Sequence, residues 1–321
     1  MRQGAIQEPT THTCEPAAGD LSPYCGRFAP SPTGPLHFGS LVAAIGSYLD
    51  AKTAGGRWLL RMEDLDRPRE VPGAADAILR TLDAFGFEWD DRVLYQSARF
   101  EAYAEAIERL DGLGLVFPCA CTRREIAEYG RPGADGHVYP GTCRERLPPG
   151  RRGRSLRLRA ESDPILIRDR IQGDLLQDLE REVGDFVLRR VDGIHAYQLA
   201  VVVDDDFQGV SHVVRGADLI ASTPRQVFLL QALESPVPAY AHLPLVVDAA
   251  GRKLSKSGAD APVDPATPLP ALLHAWRFLG QEPFPERPAN LVEFWTRAKA
   301  TWGMERVPNA GARTLHPISF N

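Results

Sequence analysis

Between residues 25 and 115 the chain alternates two kinds of apolar pattern. The run at 58–62 has the density of a buried strand, whereas 74–85 and 99–113 space their apolar residues as helices do, and the apolar stretch 41–49 opens directly from a turn. Strand and helix in alternation predict α/β, doubly wound topology. From 117 to about 185 the texture changes. Gly130, Pro132, Gly133, Gly136, Pro140, Gly141, Pro148, Pro149 and Gly150 separate short strands at 156–158 and 165–167, as expected of an insertion between two halves of a sheet. Strand and buried-helix character resumes at 186–188, 197–203 and 213–215, a helix over 222–233 starts at a Thr-Pro signal, and helices are expected at 269–279 and 289–302. The division expected is a loose extension (1–24), the first half of a Rossmann-like domain (25–116), an insertion (117–185), the second half (186–240) and a short, mostly helical C-terminal domain (241–321).

Composition narrows the class without naming a chemistry. The 321 residues are 44% hydrophobic and 25% charged, as in globular proteins. No apolar run approaches the roughly 20 residues of a membrane span. The first 24 residues lack the basic and apolar regions of a signal peptide, so a cytoplasmic location is expected. A net charge of −5 argues against indiscriminate nucleic-acid binding, but a local arginine face can still bind RNA. The densest run, Arg144, Arg146, Arg151, Arg152, Arg154, Arg157 and Arg159, is either such a face or a solvated basic loop.

Two short segments carry the chemistry. Arg27-Phe28-Ala29-Pro30-Ser31-Pro32-Thr33-Gly34-Pro35-Leu36-His37-Phe38-Gly39-Ser40 places three prolines, two glycines and a histidine in a turn ahead of an apolar helix. That is how backbone N–H groups and a helix N-terminus are aimed at a polyphosphate. More than 200 residues later comes Lys253-Leu254-Ser255-Lys256-Ser257; only four of the 37 basic residues are lysines, and two of those four are here. Compact ammonium charges suit mobile phosphates.

These segments resemble the two signature motifs of the class I aminoacyl-tRNA synthetases, and the glutamyl branch in particular. The likeness extends to Leu60-Arg61-Met62-Glu63-Asp64-Leu65-Asp66, to Val203-Asp204-Asp205-Asp206-Phe207, to His212-Val213-Val214-Arg215-Gly216-Ala217-Asp218 and to Thr223-Pro224-Arg225-Gln226, over roughly 25–260. Ser40 stands where many class I enzymes have a second histidine, and Leu254 where methionine is common. The resemblance implies that glutamate's α-carboxylate attacks the α-phosphate of ATP and that an acceptor hydroxyl then takes the glutamyl group. It implies ATP-binding roles for Pro30, Gly34, His37, Gly39, Ser40, Lys253 and Lys256, with His37 and Lys256 catalytic. Magnesium is expected to arrive with ATP. Two carboxylates and one ammonium on the amino acid call for guanidinium forks and a carboxylate. Arg27, Arg215 and Glu63 match these needs, with Phe28, Ala29, Pro30, Ser31 and Tyr197 lining the same pocket. Asp204-Asp205-Asp206 reads as a metal site or, at least as readily, as a polar strand end or loop.

Cys119, Cys121 and Cys143 have the spacing to give three thiolates to one structural zinc. Ligand chemistry favours His137 as the fourth, while the resemblance carries Tyr139 into that place; Tyr139 is preferred. Buried cysteines without metal are the alternative. With 64 residues after Ser257, the chain resembles the truncated branch of the family, which glutamylates queuosine at the wobble position of tRNA(Asp). Two alternatives stay open: a compact enzyme that charges the terminal ribose of tRNA(Glu), and a noncatalytic tRNA-binding paralogue.

Overall fold

The structure, a computed structural model, describes residues 23–133, 136–161, 163–248 and 262–314. Strand β1 (Cys25–Phe28) leads through the Pro/Gly turn into helix α1 (Phe38–Thr53), then β2 (Arg57–Met62), helix α2 (Ala74–Ala84) and β3 (Asp90–Tyr95). The three strands are parallel, in the order β1-β2-β3. Helix α1 is buried around most of its circumference because it packs on strands from one side and on C-terminal helices from the other. Leu41, Ile45, Tyr48 and Leu49 have no exposure and meet Trp58, Leu60 and Met62, along with Leu272, Trp276 and Phe294. Each such side chain contributes roughly 2 kcal/mol by leaving water. At Gly46 a Cβ would sit 2.7 Å from the Leu243 side chain, so any larger residue would have to displace that leucine where the helix meets the second half of the fold.

After helix α3 (Phe100–Gly112) the chain enters β4 (Val116–Cys119), helix α4 (Arg123–Tyr129) and β5 (Ser155–Leu158). It then forms the hairpin β6 (Ile165–Asp169) and β7 (Gly173–Gln177), β8 (Phe186–Arg189), helix α5 (Tyr197–Phe207), β9 (His212–Gly216), helix α6 (Thr223–Ala232) and β10 (Ala239–Leu243). The pairing crosses the boundaries expected from sequence. Strand β8 joins β5 and β4 in the antiparallel sheet of the inserted region, while β6 and β7 join β9 and β10 in the order β9-β10-β6-β7. Short apolar runs carry no record of their partner, so register and sheet membership are not legible in the pattern. Likewise 204–206 belongs to helix α5, not to a strand end or loop.

The two parallel arrays meet through Ser211. Its N–H donates to Cys25 O at 2.9 Å and its hydroxyl accepts from Cys25 N at 2.9 Å, which sets β1 beside β9. From this seam the strand order runs outward in both directions, the arrangement that opens a crevice at the carboxyl ends of the strands. Helices α7 (Pro268–Phe278) and α8 (Leu291–Thr301) close the core behind α1. Among the described residues no helix is long and apolar enough to cross a membrane.

Candidate active site and cysteine cluster

A cavity of about 600 Å³ lies at that seam. Arg27, Phe28, Ala29, Pro30, Ser31, Gly34, His37, Gly39, Ser40, Glu63, Tyr197 and Arg215 all line it. Lys253 and Lys256 lie outside the described residues. On either side of that stretch, Val246 lines the cavity, and Pro262 makes a bridge to His37 beside a 3.0 Å hydrogen bond from Val263 N to Leu36 O.

The phosphate-loop half is built by capping. His37 is the N-cap of α1 and its Nδ1 accepts from Ser40 N at 3.2 Å, while Ser40 Oγ lies 3.0 Å from Nε2. The serine in the second-histidine position thus holds the imidazole. A Cβ at Gly39 would approach the His37 ring to 3.2 Å, and Gly34 has φ +152°, a conformation L side chains rarely adopt. The helix N-terminus and the loop backbone therefore face the cavity, where an anion is favoured.

The other half is a buried charge network. Arg27 is 3% exposed, Arg61 0% and Arg215 4%. Asp205 Oδ1 accepts from Arg27 Nε at 3.2 Å and Arg61 Nη2 at 2.7 Å. Burial works against its charge, but the two guanidinium groups outweigh it and hold the carboxyl below the ordinary range. Glu63 reaches Arg61 only at 3.7 Å. Burial pushes its carboxyl up to about 7, against the pull of Arg61 and Arg27. Its backbone N–H donates to Pro30 O at 3.0 Å, which ties the strand-end carboxylate to the phosphate loop. Arg215 donates from Nη1 to Gln226 Oε1 at 2.8 Å, from Nη2 to Thr223 Oγ1 at 2.8 Å and from Nε to His242 Nε2 at 3.0 Å, with Tyr197 Oη 3.5 Å away.

Sequence reasoning missed Asp205 and Arg61 as supports of this site. The aspartate run gave a signal of charge but none of direction. Asp204 turns the other way and accepts from Arg99 Nε at 2.6 Å, Tyr103 Oη at 2.7 Å and Gln96 Nε2 at 2.9 Å, with no exposure. Neither carboxylate is arranged for a cation.

Among the described residues, one group of His, Cys, Asp or Glu is placed to hold a metal ion: Cys119, Cys121 and Cys143, with Sγ atoms within 4.8 Å of one another. Cys121 and Cys143 Sγ are 3.7 Å apart, and Tyr139 Oη lies 3.4 Å from Cys119 Sγ and 3.7 Å from Cys121 Sγ. A tetrahedral ion with zinc-like bond lengths requires S···S edges of about 3.8 Å and S···O edges of about 3.5 Å, so the donor set fits. Backbone N–H groups of Ala120 and Cys121 point at Cys143 and Cys119 sulfur, at 3.5 and 3.4 Å. His137 is exposed on a two-residue strand and outside this group.

The sequence profile described as tRNA synthetases class I (E and Q), catalytic domain, matches residues 25–265. The chain belongs to that family. A glutamyl-Q tRNA(Asp) synthetase of Dechloromonas aromatica is 58% identical over 291 residues, 89% of this chain and 96% of the relative. One from Chromobacterium violaceum is 56% identical over 296 residues, 92% of this chain and 98% of the relative. Within the class I family, the chain therefore belongs with the glutamyl-Q tRNA(Asp) synthetases. Its fold is similar to a crystal structure of a glutamate tRNA ligase from Elizabethkingia meningosepticum in complex with its amino acid. The TM-score is 0.76 at 26% identity, over 92% of this chain and 67% of that one.

Proposed function

We propose that this protein activates L-glutamate with ATP and transfers the glutamyl group to a hydroxyl of queuosine at the wobble position of tRNA(Asp), in the cytoplasm. The observation that carries the proposal is the convergence on one cavity of a helix N-terminus, the two buried guanidinium groups of Arg27 and Arg215 and the carboxylate of Glu63. That set complements a triphosphate together with a dicarboxylate that bears an ammonium group. In the first step the glutamate α-carboxylate attacks the α-phosphorus and pyrophosphate leaves; in the second an acceptor hydroxyl attacks the acyl carbon and AMP leaves. No side-chain nucleophile is needed, so the rate comes from alignment and from donors facing the developing phosphate charge. His37 and the backbone at Gly39 are assigned to the triphosphate with Pro30, Gly34 and Ser40, Lys253 and Lys256 to the leaving pyrophosphate, and magnesium enters with ATP. Arg27 and Arg215 are assigned to the two carboxylates, and Glu63 to the ammonium, with Tyr197, Phe28, Ala29 and Ser31 shaping the pocket.

Cys119, Cys121, Tyr139 and Cys143 are proposed to hold one structural zinc, which supplies cross-linking to a glycine-rich region whose buried apolar cluster is otherwise only Phe117 and Ala120. Of the seven arginines in the basic run, Arg157 is buried and donates to Asp185 O, while Arg144, Arg151 and Arg159 pair with Glu180, Glu125 and Glu145. Arg146, Arg152 and Arg154 are exposed and are the proposed RNA-phosphate contacts.

Labelled glutamate and ATP, offered with queuosine-containing tRNA(Asp), unmodified tRNA(Asp) and tRNA(Glu) in parallel, test the proposal. Label on the first alone is expected. Label on tRNA(Glu) would move the acceptor to the terminal ribose, and no label on any RNA would leave the protein a binder.

A further inference from the structure

Arg215 differs from the buried Arg27 and Arg61 in how its charge is supported. Arg27 and Arg61 share Asp205 directly. The partners of Arg215 among the described residues are all neutral: His242, Gln226, Thr223, Tyr197 and the carbonyl of Leu219. A guanidinium has five N–H groups and no acceptor. Three are taken at 2.8–3.0 Å by His242, Gln226 and Thr223, and the remaining one on each Nη makes only a long, weak hydrogen bond, to Tyr197 Oη at 3.5 Å and to Leu219 O at 3.4 Å. Two N–H groups on adjacent nitrogens are what a carboxylate accepts in a bidentate pair.

The Nε contact also determines the protonation of its partner. Because Arg215 Nε can only donate, His242 Nε2 must accept, so the proton of the neutral imidazole resides on Nδ1. There it faces Asp169 Oδ2 at 2.5 Å, and both side chains have no exposure. Asp169 is itself oriented: its other oxygen accepts from the backbone N–H groups of Ile171 at 3.0 Å, Gln172 at 2.8 Å and His242 at 3.2 Å. A carboxylate, an imidazole and a guanidinium thus form one buried line from the second sheet to the cavity wall.

We infer that His242, held in its Nδ1–H form by Asp169, is a positioning residue that aims Arg215 at a substrate carboxylate and sets the glutamate-over-glutamine selectivity of the cavity. This rests on the proposal that Arg215 meets a carboxylate of glutamate. Asp169 supplies the countercharge at one remove, so the guanidinium keeps two weakly bonded N–H groups that a ligand carboxylate can take over instead of closing on a protein carboxylate.

Asp169→Asn tests the line with almost no change in volume. An amide nitrogen in place of Oδ2 donates to His242 Nδ1, forces the imidazole proton onto Nε2 and sets two donors against each other at Arg215. His242→Leu removes the acceptor, and His242→Gln returns one. In glutamate-dependent ATP–pyrophosphate exchange, Asp169→Asn and His242→Leu should each raise the glutamate KM by about 10- to 100-fold, the scale of one hydrogen bond to a charged group. The ATP KM should stay unchanged, glutamate-over-glutamine selectivity should fall by a similar factor, and His242→Gln should recover much of both. A parallel rise in both KM values, unchanged selectivity, or His242→Gln behaving as His242→Leu would overturn the inference while glutamate exchange by the unaltered protein stands. No glutamate exchange by the unaltered protein would instead overturn the function on which it rests.

Discussion

The arginines at and behind the cavity and those of the cysteine-bearing region work under opposite conditions of solvent. Arg27, Arg61 and Arg215 are at most 4% exposed, and their neighbours are arranged around them from several strands and helices. Arg151 and Arg144 sit at the surface, with side chains 39% and 27% exposed, and each answers a glutamate. In water such a pair contributes little, whereas a buried guanidinium that loses its partner is strongly destabilising. Removing a cavity arginine should therefore abolish a chemical step, and removing a surface arginine should only weaken an encounter.

The largest effect is expected at Arg27. Arg27→Ala should reduce glutamate-dependent exchange by about 10³-fold or more while ATP binding changes little, because a charge-assisted contact to the substrate is lost and Asp205 keeps only Arg61. Equal losses for both ligands would mean that the side chain holds the fold and not the substrate. Next comes Asp205→Asn. It leaves two buried guanidinium groups without their shared carboxylate, so thermal stability and exchange should both drop, exchange by about 100-fold. A variant as active as the parent would show the network to be incidental.

Glu63 offers a pH test of the same contrast. Its carboxyl is pushed up to about 7, so the form that can receive an ammonium group is lost as pH falls through that value. Exchange kcat/KM for glutamate should fall about tenfold per pH unit below about 7, and Glu63→Gln should remove that limb. For stability the sign is opposite. A raised carboxyl contributes most below its unfolded value and progressively less as pH rises through about 7. A flat profile from pH 5.5 to 8 would exclude Glu63 from ammonium recognition.

In the cysteine-bearing region, Cys143→Ser should lower the zinc content from about one per chain and reduce transfer to tRNA more than exchange without tRNA. Metal-free protein with normal transfer would remove zinc from the account. The smallest effect belongs to Arg152→Ala and Arg154→Ala. Each should weaken tRNA binding a few-fold at low salt, with a shallower salt dependence and unchanged exchange.

How much of this was legible in the sequence follows the same division between buried and exposed polar groups. Most helices and the strands β2, β5, β6, β8 and β9 follow from apolar spacing, whereas β1, β3, β4, β7, β10 and helix α4 do not, and the loop from Arg27 to Ser40 announces itself through its Pro, Gly and His. Burial of charge does not. The Asp204-Asp205-Asp206 run looks like a solvated end, yet on a helix its first two members point to different interiors, one to Arg99 and Tyr103, the other to Arg27 and Arg61. Arg157 sits within a run of exposed arginines, but alternation on β5 turns it inward, 4.2 Å over the Tyr139 ring. Cysteine spacing points to three metal donors; the phenol among them came from the family resemblance, since no spacing rule selects tyrosine. His242 and Asp169 gave no signal at all, because two polar residues 73 positions apart become a pair only when β10 is laid beside β6.

If buried protein charges alone complete the glutamate cavity, activation needs no RNA. ATP–pyrophosphate exchange in the absence of tRNA, with glutamate and glutamine compared at equal concentrations, decides this. Exchange with glutamate is expected, with a preference over glutamine of about 10⁴-fold, as when a buried ionic site meets a neutral analogue. Exchange that appears only after tRNA is added, or that proceeds comparably with glutamine, would contradict it.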